Sequence, residues 1–169
     1  MYQAGDTVVY AAHGVCKIQD IVSKNFGEMT KEYYVLKPVY DTGATIFVPV
    51  NNEKLRAKMR CTLSEEEIYQ IIKSMPDEDT IWIDNDNARK EAYKKIMENG
   101  DRSELVRMVK TLHFKSEQQR EKGKRLHVAD ETFLRDAEKV LYDEFALVLD
   151  IKRDEVRPFI MNQIQASVQ

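Results

Sequence analysis

The pattern of apolar residues changes once along this 169-residue chain, close to Thr62. Before this point, short β-branched and aromatic runs such as DTVVY, GVCKIQDIV, EYYVLKPV and ATIFVPV alternate with turn residues. Runs of this kind predict strands. After Thr62, apolar residues recur every three or four positions, which predicts amphipathic helices. A chain that switches in this way is expected to fold in two parts, one all-β and one all-α.

The strand-rich part is too short for a flat, open sheet to bury one of its faces. Four or five short strands before Val50 limit their exposed edges by curling into a small barrel. We therefore predict an α+β protein whose residues 1–60 form an N-terminal Tudor-like or SH3-like β-barrel. His13-Gly14 stands where a tight turn would end the first hairpin, so His13 is expected to be a turn residue rather than a ligand.

Residues 61–169 are predicted to form an all-helical C-terminal domain of about five helices. A capping residue before EEE places acids in a first helical turn, and Pro76 ends that helix. Asn99-Gly100 is a typical helix end. The expected helix starts are, in order, Thr62 or Ser64, Asn87, Asp101, Ala129 and the residue after Asp150.

The net charge of -3 hides an uneven distribution along the chain. Residues 86–125 carry 12 Lys/Arg and 7 Asp/Glu, a net charge of +5, and lie between two acidic segments. Such a basic block favours a local surface for a polyanion, although solvated lysine-rich helix faces explain it equally well. Arg89, Lys90, Lys94 and Lys95 fall on the second predicted helix; Arg102, Arg107 and Lys110 fall on the third and extend the predicted surface.

Motifs for catalysis or metal binding do not occur. The histidines, His13, His113 and His127, stand far apart in the sequence, and GxxxxGK[ST], HExxH and GxGxxG are all missing. The oxygen-rich IDNDN fails as an EF-hand loop because Arg89 and Lys95 occupy the positions of the required Gly and Glu. We predict a protein that is not an enzyme and holds no metal or cofactor.

The location of the chain is predicted from apolar run length and cysteine usage. The two cysteines, Cys16 and Cys61, form no CxxC motif, and we expect them reduced. No apolar run approaches the roughly 20 residues that span a bilayer, and Met1 precedes no secretion-like segment. We therefore expect a cytoplasmic protein without membrane contact, and nothing in the sequence requires more than a monomer.

The single tryptophan, Trp82, stands in a segment between predicted helices rather than on an amphipathic stripe. A tryptophan in such a segment is usually packed over a seam in the structure. An aromatic side chain beside a basic helix N-terminus is also what a minor-groove protein inserts at an unstacked base step. The residues alone leave both interpretations open.

Several stretches resemble the CarD family of bacterial transcription regulators over nearly the whole chain. They are the opening GDTVVYAAHGVCKI, then KEYYVLKPV and TIFVPV, and later a lone tryptophan with an R-K pair before ENGD. The opening is also similar to the RNA polymerase-interacting module of transcription-repair coupling factors. Because no helicase motor follows it in this sequence, the stand-alone regulator is the better match.

The resemblance implies roles for particular residues. The barrel would bind the β subunit of RNA polymerase, partly by β-augmentation. Trp82 would be a wedge in the promoter minor groove at the upstream edge of the melted bubble, although the family more often has basic residues directly after this tryptophan and here IDNDNA intervenes. Arg89 and Lys90 would contact phosphates, and Lys94 and Lys95 extend that surface by helix geometry. The expected polymerase-binding residues are Lys24, Val35, Phe47 and Pro49.

The expected function is that of a regulator that binds polymerase and promoter DNA, largely without sequence specificity, and stabilises the open complex. The alternative is a protein-interaction adaptor whose tryptophan is structural and which does not act on DNA. A third hypothesis, an autonomous helix-turn-helix repressor, lacks a pattern of base-reading Arg or Asn residues.

Overall fold

The computed structural model describes residues 1–168, with side chains up to Ala166. The chain divides into two compact units, Met1–Thr62 and a second unit from Leu63 onward.

The first unit is an antiparallel sheet of five strands in the spatial order β4-β3-β2-β1-β5. Two hairpins, β1–β2 and β2–β3, form its centre, so β4 and β5 are its edges. A short helix, α1, precedes β5. The bounds are β1 Thr7–Tyr10, β2 Gly14–Phe26, β3 Met29–Pro38, β4 Ile46–Pro49, α1 Glu53–Arg56 and β5 Met59–Cys61.

Alternation along the strands builds one apolar core in this unit. Successive side chains of a strand point to opposite faces, so every second residue is directed inward. Tyr34 and Leu36 on β3 and Val48 on β4 are 1%, 0% and 0% exposed. All five strands contribute to the core, which comprises Val8, Tyr10, Cys16, Ile18, Tyr34, Leu36, Val48, Val50 and Met59.

The turn between β1 and β2 contains the predicted His13-Gly14 pair. A 3₁₀ turn, Ala11–His13, ends at Gly14, whose φ of 75° is a conformation that favours glycine. The His13 ring stacks on Tyr10 with centroids 5.6 Å apart. His13 is therefore a turn residue, as predicted.

The two cysteines flank Val8 across the sheet, since Val8 pairs with Cys16 on one side and with Cys61 on the other. Two strand spacings separate their Cα atoms by about 9.5 Å. A disulfide requires less than about 7 Å. This fold therefore excludes a disulfide between them.

Within residues 63–168, the second unit contains five α-helices, as predicted, and two short 3₁₀ turns. Glu78–Asp84, which carries Trp82, is an irregular segment between the first two α-helices. The bounds are α2 Glu65–Ser74, α3 Asp86–Asn99, α4 Arg102–Glu121, α5 Val128–Leu149 and α6 Val156–Val168. Together with the five-stranded unit, these helices confirm the predicted α+β class.

Local capping marks several of the helix ends. Ser64 and Glu67 form a reciprocal capping box at the start of α2. Gly100, at φ 67°, ends α3, and Asp101 directly caps α4 through the backbone N–H of Glu104. The turn from α3 to α4 therefore has both of its ends held by hydrogen bonds.

Candidate functional site

The outer face of the β-sheet is formed by the residues that alternate with its core. Val35 on β3 pairs with Phe47 on β4, and Tyr33 pairs with Pro49. Because paired residues of antiparallel strands project from the same face, these four side chains share one surface. Phe47 is 44% exposed there, whereas Val35 is 8% exposed.

Lys24 of β2 completes this outer face. Its Nζ lies 3.9 Å from the Phe47 ring centroid and 5.9 Å from that of Tyr33, within the range of cation–π contacts. Lys24, Val35 and Phe47 line one shallow cavity. The structure thus brings together three of the four residues predicted to bind polymerase, and Pro49 lies two residues further along β4.

Two aromatic residues that we did not predict extend this face. Tyr33 makes edge contacts with Phe47 on one side and with Phe26 on the other. Phe26 is 55% exposed, and Lys31 Nζ lies 6.0 Å from its ring centroid. The sequence indicates their position through the alternation of inward and outward side chains along β2 and β3, which places Tyr33 on the same face as Val35.

β4 is an edge strand, because in the described residues it pairs only with β3. An edge strand presents unpaired backbone N–H and C=O groups on its outer side. Such an edge can accept a strand from another protein.

In the helical unit, three hydrogen bonds hold the backbone on both sides of Trp82. The Ile81 N–H donates to Thr111 Oγ1 at 2.9 Å, and the Tyr93 hydroxyl donates to the Ile81 carbonyl at 3.0 Å. Arg89 Nη1 donates to the Ile83 carbonyl at 2.9 Å. The irregular segment therefore has a defined path over α3 and α4.

Arg89 is buried, in contrast to the surface position that a phosphate contact requires. Its side chain is 3% exposed and makes two parallel hydrogen bonds to Asp130, at 3.0 Å from Nε and 2.9 Å from Nη2. Asp86 accepts a further bond at 2.8 Å. Hydrogen bonding to Asp130 raises the pKa of Arg89, although burial opposes the rise. The phosphate role of Arg89 stays a prediction.

The Trp82 ring is covered by two cationic side chains. Arg89 Cζ lies 4.2 Å from the ring centroid and Lys115 Nζ lies 4.6 Å from it. Trp82 Nε1 donates to Asp84 Oδ1 at 3.1 Å. The indole is partly exposed and belongs neither to the buried core nor to the widely exposed side chains.

The other three predicted DNA-binding residues lie at the surface of α3. Lys90, Lys94 and Lys95 are exposed, and none forms an ion pair with the residues that the structure describes. Lys90 and Lys94 stand one helical turn apart and share a face. They form a group of exposed lysines, with the exposed Glu91 and Glu98 each within about one helical turn of Lys94.

The basic residues of α4 make internal contacts instead. Arg102 binds Glu144 at 2.7 Å. Lys110 donates to the carbonyls of Pro76 and Glu78, and Arg107 donates to that of Asp79. The predicted extension of the positive surface along the start of α4 is therefore not formed.

A second group of exposed cations follows the end of α4, and we did not single it out from the sequence. The run REKGKR should have indicated it. His127, just after this run, lies 3.9 Å from Asp86 at the start of α3. The exposed cations are Arg120, Lys122, Lys124 and Arg125.

The matches to protein-family models agree with this division of the chain. An exposed strand edge beside a face of aromatic and lysine side chains is suited to binding another protein. Residues 2–61 match the model of the CarD-like/TRCF RID domain. Residues 67–161 match the CarD C-terminal domain. The chain belongs to the CarD family, a family of transcription regulators that interact with RNA polymerase.

Among residues 1–168, no helix combines the length and apolarity needed to cross a bilayer. Within the same residues, His, Cys, Asp and Glu side chains form no group of three or more that could hold a metal ion.

Proposed function

We propose that this protein binds the RNA polymerase β subunit through its sheet and promoter DNA through its helical unit, and thereby stabilises the open complex. The observation that supports this proposal most directly is the group of exposed lysines on α3, which form no ion pair with the described residues, in a chain whose first unit matches a polymerase-interacting domain. Both partners are cytoplasmic in bacteria, where the protein would act.

The polymerase would contact the outer face of the sheet. Phe47, half-exposed and next to Lys24, offers an apolar anchor beside a positive charge. Buried aromatic anchors carry much of the energy of protein interfaces. The free edge of β4 would add backbone hydrogen bonds to a strand of the β subunit.

Promoter DNA would contact Lys90, Lys94 and Lys95 through its phosphates. Three lysines supply a weak, salt-dependent interaction that does not read sequence. Polymerase docking would raise the local concentration of the helical unit at the promoter, so a weak DNA contact would still act.

Trp82 would insert into the minor groove at the upstream edge of the bubble. To do so, the indole must leave the cations of Arg89 and Lys115, which lie 4.2 Å and 4.6 Å from its centroid. In this role Arg89 would support the tryptophan and hold the Ile83 carbonyl. The competing function, an adaptor with a structural tryptophan, is favoured by the same contacts.

Open-complex lifetime separates these two functions. We would compare Trp82→Ala with the wild-type protein, using polymerase, a promoter fragment and a competitor that traps free polymerase. A wedge predicts that Trp82→Ala shortens the lifetime while polymerase binding and thermal unfolding remain close to wild type.

Trp82→Phe is the matched variant, because it keeps a flat apolar ring. It should retain part of the lifetime if the side chain fills an unstacked step. If Trp82→Ala lowers the unfolding temperature and leaves the lifetime at saturating protein unchanged, Trp82 is structural and the wedge is wrong.

A further inference from the structure

A groove in the helical unit is lined by α4, α5, α6 and the 3₁₀ turn after α2, which contributes Met75 and Pro76, and it includes no residue of α3. Its volume is about 350 Å³. Most of its lining is apolar. The side chains of α4 and α6 that line it recur at helical spacing, Val106, Val109 and Phe114 on α4 and Ile160, Met161 and Ile164 on α6.

Large apolar side chains remain exposed at this groove. Phe114 is 55% exposed and Met161 is 50% exposed, and both line it. Contiguous apolar surface of this kind on a folded unit often marks a binding site.

One hydroxyl in the groove is available to a ligand. Tyr142 is 7% exposed and lines the groove. Its ring packs against Arg153, 5.1 Å away, but its hydroxyl bonds to no residue among those described. The hydroxyl oxygen itself is open to solvent, so a ligand atom that accepts from Tyr142 would take the place of water there.

The charge of the lining favours an anion. Arg157 is exposed and has no ion-pair partner among the described residues. Lys110 also lines the groove, but its Nζ already donates to the carbonyls of Pro76 and Glu78, and Glu117 is the one acidic lining residue among those described. A guanidinium binds a carboxylate with strong, directional hydrogen bonds.

The volume limits the size of the ligand. At about 30 Å³ for each water-sized group, the groove holds about twelve non-hydrogen atoms. An unbranched carboxylic acid of ten carbons has this size, and its chain matches the apolar lining.

We propose that this groove binds a single-chain carboxylate of about ten carbon atoms. The chain would lie against the apolar residues of α4 and α6. The carboxylate would accept hydrogen bonds from the Tyr142 hydroxyl and the Arg157 guanidinium.

Calorimetric titration of the full chain with decanoate tests the proposal, and decanol, which has the same chain without the charge, is the matched probe. We expect saturable one-to-one binding of decanoate, with a dissociation constant on the order of 10⁻⁴ M for a ligand of this size. Decanol should bind about tenfold more weakly because it loses the charge-assisted bonds.

Two variants connect the binding to the proposed residues. Arg157→Gln should weaken decanoate binding about tenfold and leave decanol binding unchanged. Tyr142→Phe should weaken decanoate binding about fivefold. Arg135→Gln removes an exposed cation of α5 outside the groove and should have no effect. Circular dichroism checks that each variant is folded.

Several results would overturn the proposal. The first is equal affinity for decanoate and decanol. The second is the absence of saturable binding below the concentration at which decanoate self-associates. The third is an equal loss of decanoate affinity in Arg157→Gln and Arg135→Gln. Sedimentation that shows a dimer disrupted by Met161→Asp would assign the groove to a second copy of the chain instead.

Discussion

Asp130 is the residue on which the arrangement around Trp82 depends most. Its carboxylate holds the buried guanidinium of Arg89, which in turn binds the Ile83 carbonyl and packs on the indole. Removing one partner of a buried ion pair leaves the other charge uncompensated. Asp130 and Arg89 therefore link α5, α3 and the irregular segment.

We expect Asp130→Asn to lower the free energy of unfolding of the helical unit by about 3 kcal/mol. The control, Asp136→Asn, removes an exposed carboxylate of the same helix and should change stability little. Urea denaturation, followed by Trp82 fluorescence, measures both. Equal stability of the two variants would show that the buried pair contributes nothing.

Two buried tyrosines predict how stability depends on alkaline pH. Burial raises the pKa of Tyr93 and of Tyr142 to about 12, from 10.0. The fold favours their neutral forms, so this contribution to stability is complete below pH 10 and is lost as pH rises from 10 through 12. Absorbance of tyrosinate during an alkaline titration should show two tyrosines that ionise well above pH 10, near pH 12.

At the scale of the element, β4 combines an exposed face and a buried face in four residues. Phe47→Ala should weaken binding to polymerase by about tenfold or more, because an aromatic anchor is lost, and should leave the sheet folded. Tyr40→Ala is the size-matched control, since Tyr40 is also 44% exposed and lies outside β3 and β4. Binding to the isolated β subunit measures both variants.

Helix α3 presents its lysines on a surface that can be tested by charge reversal. Lys94→Glu should weaken binding to duplex DNA and reduce the salt dependence of that binding by about one counterion. Lys73→Glu changes an exposed lysine of α2 and should affect neither quantity. Fluorescence anisotropy across a series of salt concentrations measures both, and identical losses in the two variants would indicate only a general charge effect.

The elements that the sequence predicted are those with short-range signals. Alternation places Phe47 and Val35 on one face, and capping residues such as Ser64 and Asp101 mark helix starts. The burial of Arg89 could not be predicted, because its partner Asp130 is 41 positions away and no local pattern connects them. The segment after Val50 had no clear period, since α1 and β5 contain only four and three residues.

At the scale of the whole molecule, the proposed function requires two weak surfaces in one chain. Lys94→Glu should shorten the open-complex lifetime in the wild-type background, whereas in the Phe47→Ala background it should have little further effect. The reason is that a helical unit that is no longer delivered by polymerase contacts DNA too weakly to act.

The experiment uses protein below saturation and the same promoter for all four combinations. Independent, multiplicative effects of the two substitutions would contradict delivery by polymerase and favour autonomous DNA binding. Double-mutant analysis of this kind isolates the coupling between the two surfaces.

Trp82 is an intrinsic fluorescent probe of its own surroundings. It is the only tryptophan in the chain, and its indole lies against the charged groups of Arg89 and Lys115. Emission excited at the tryptophan band therefore reports one place in the molecule. When the ring leaves these cations for a stack of bases, the polarity of its surroundings and the quenching of its fluorescence both change. A stopped-flow fluorescence trace on the unlabelled protein would therefore time that movement against promoter melting.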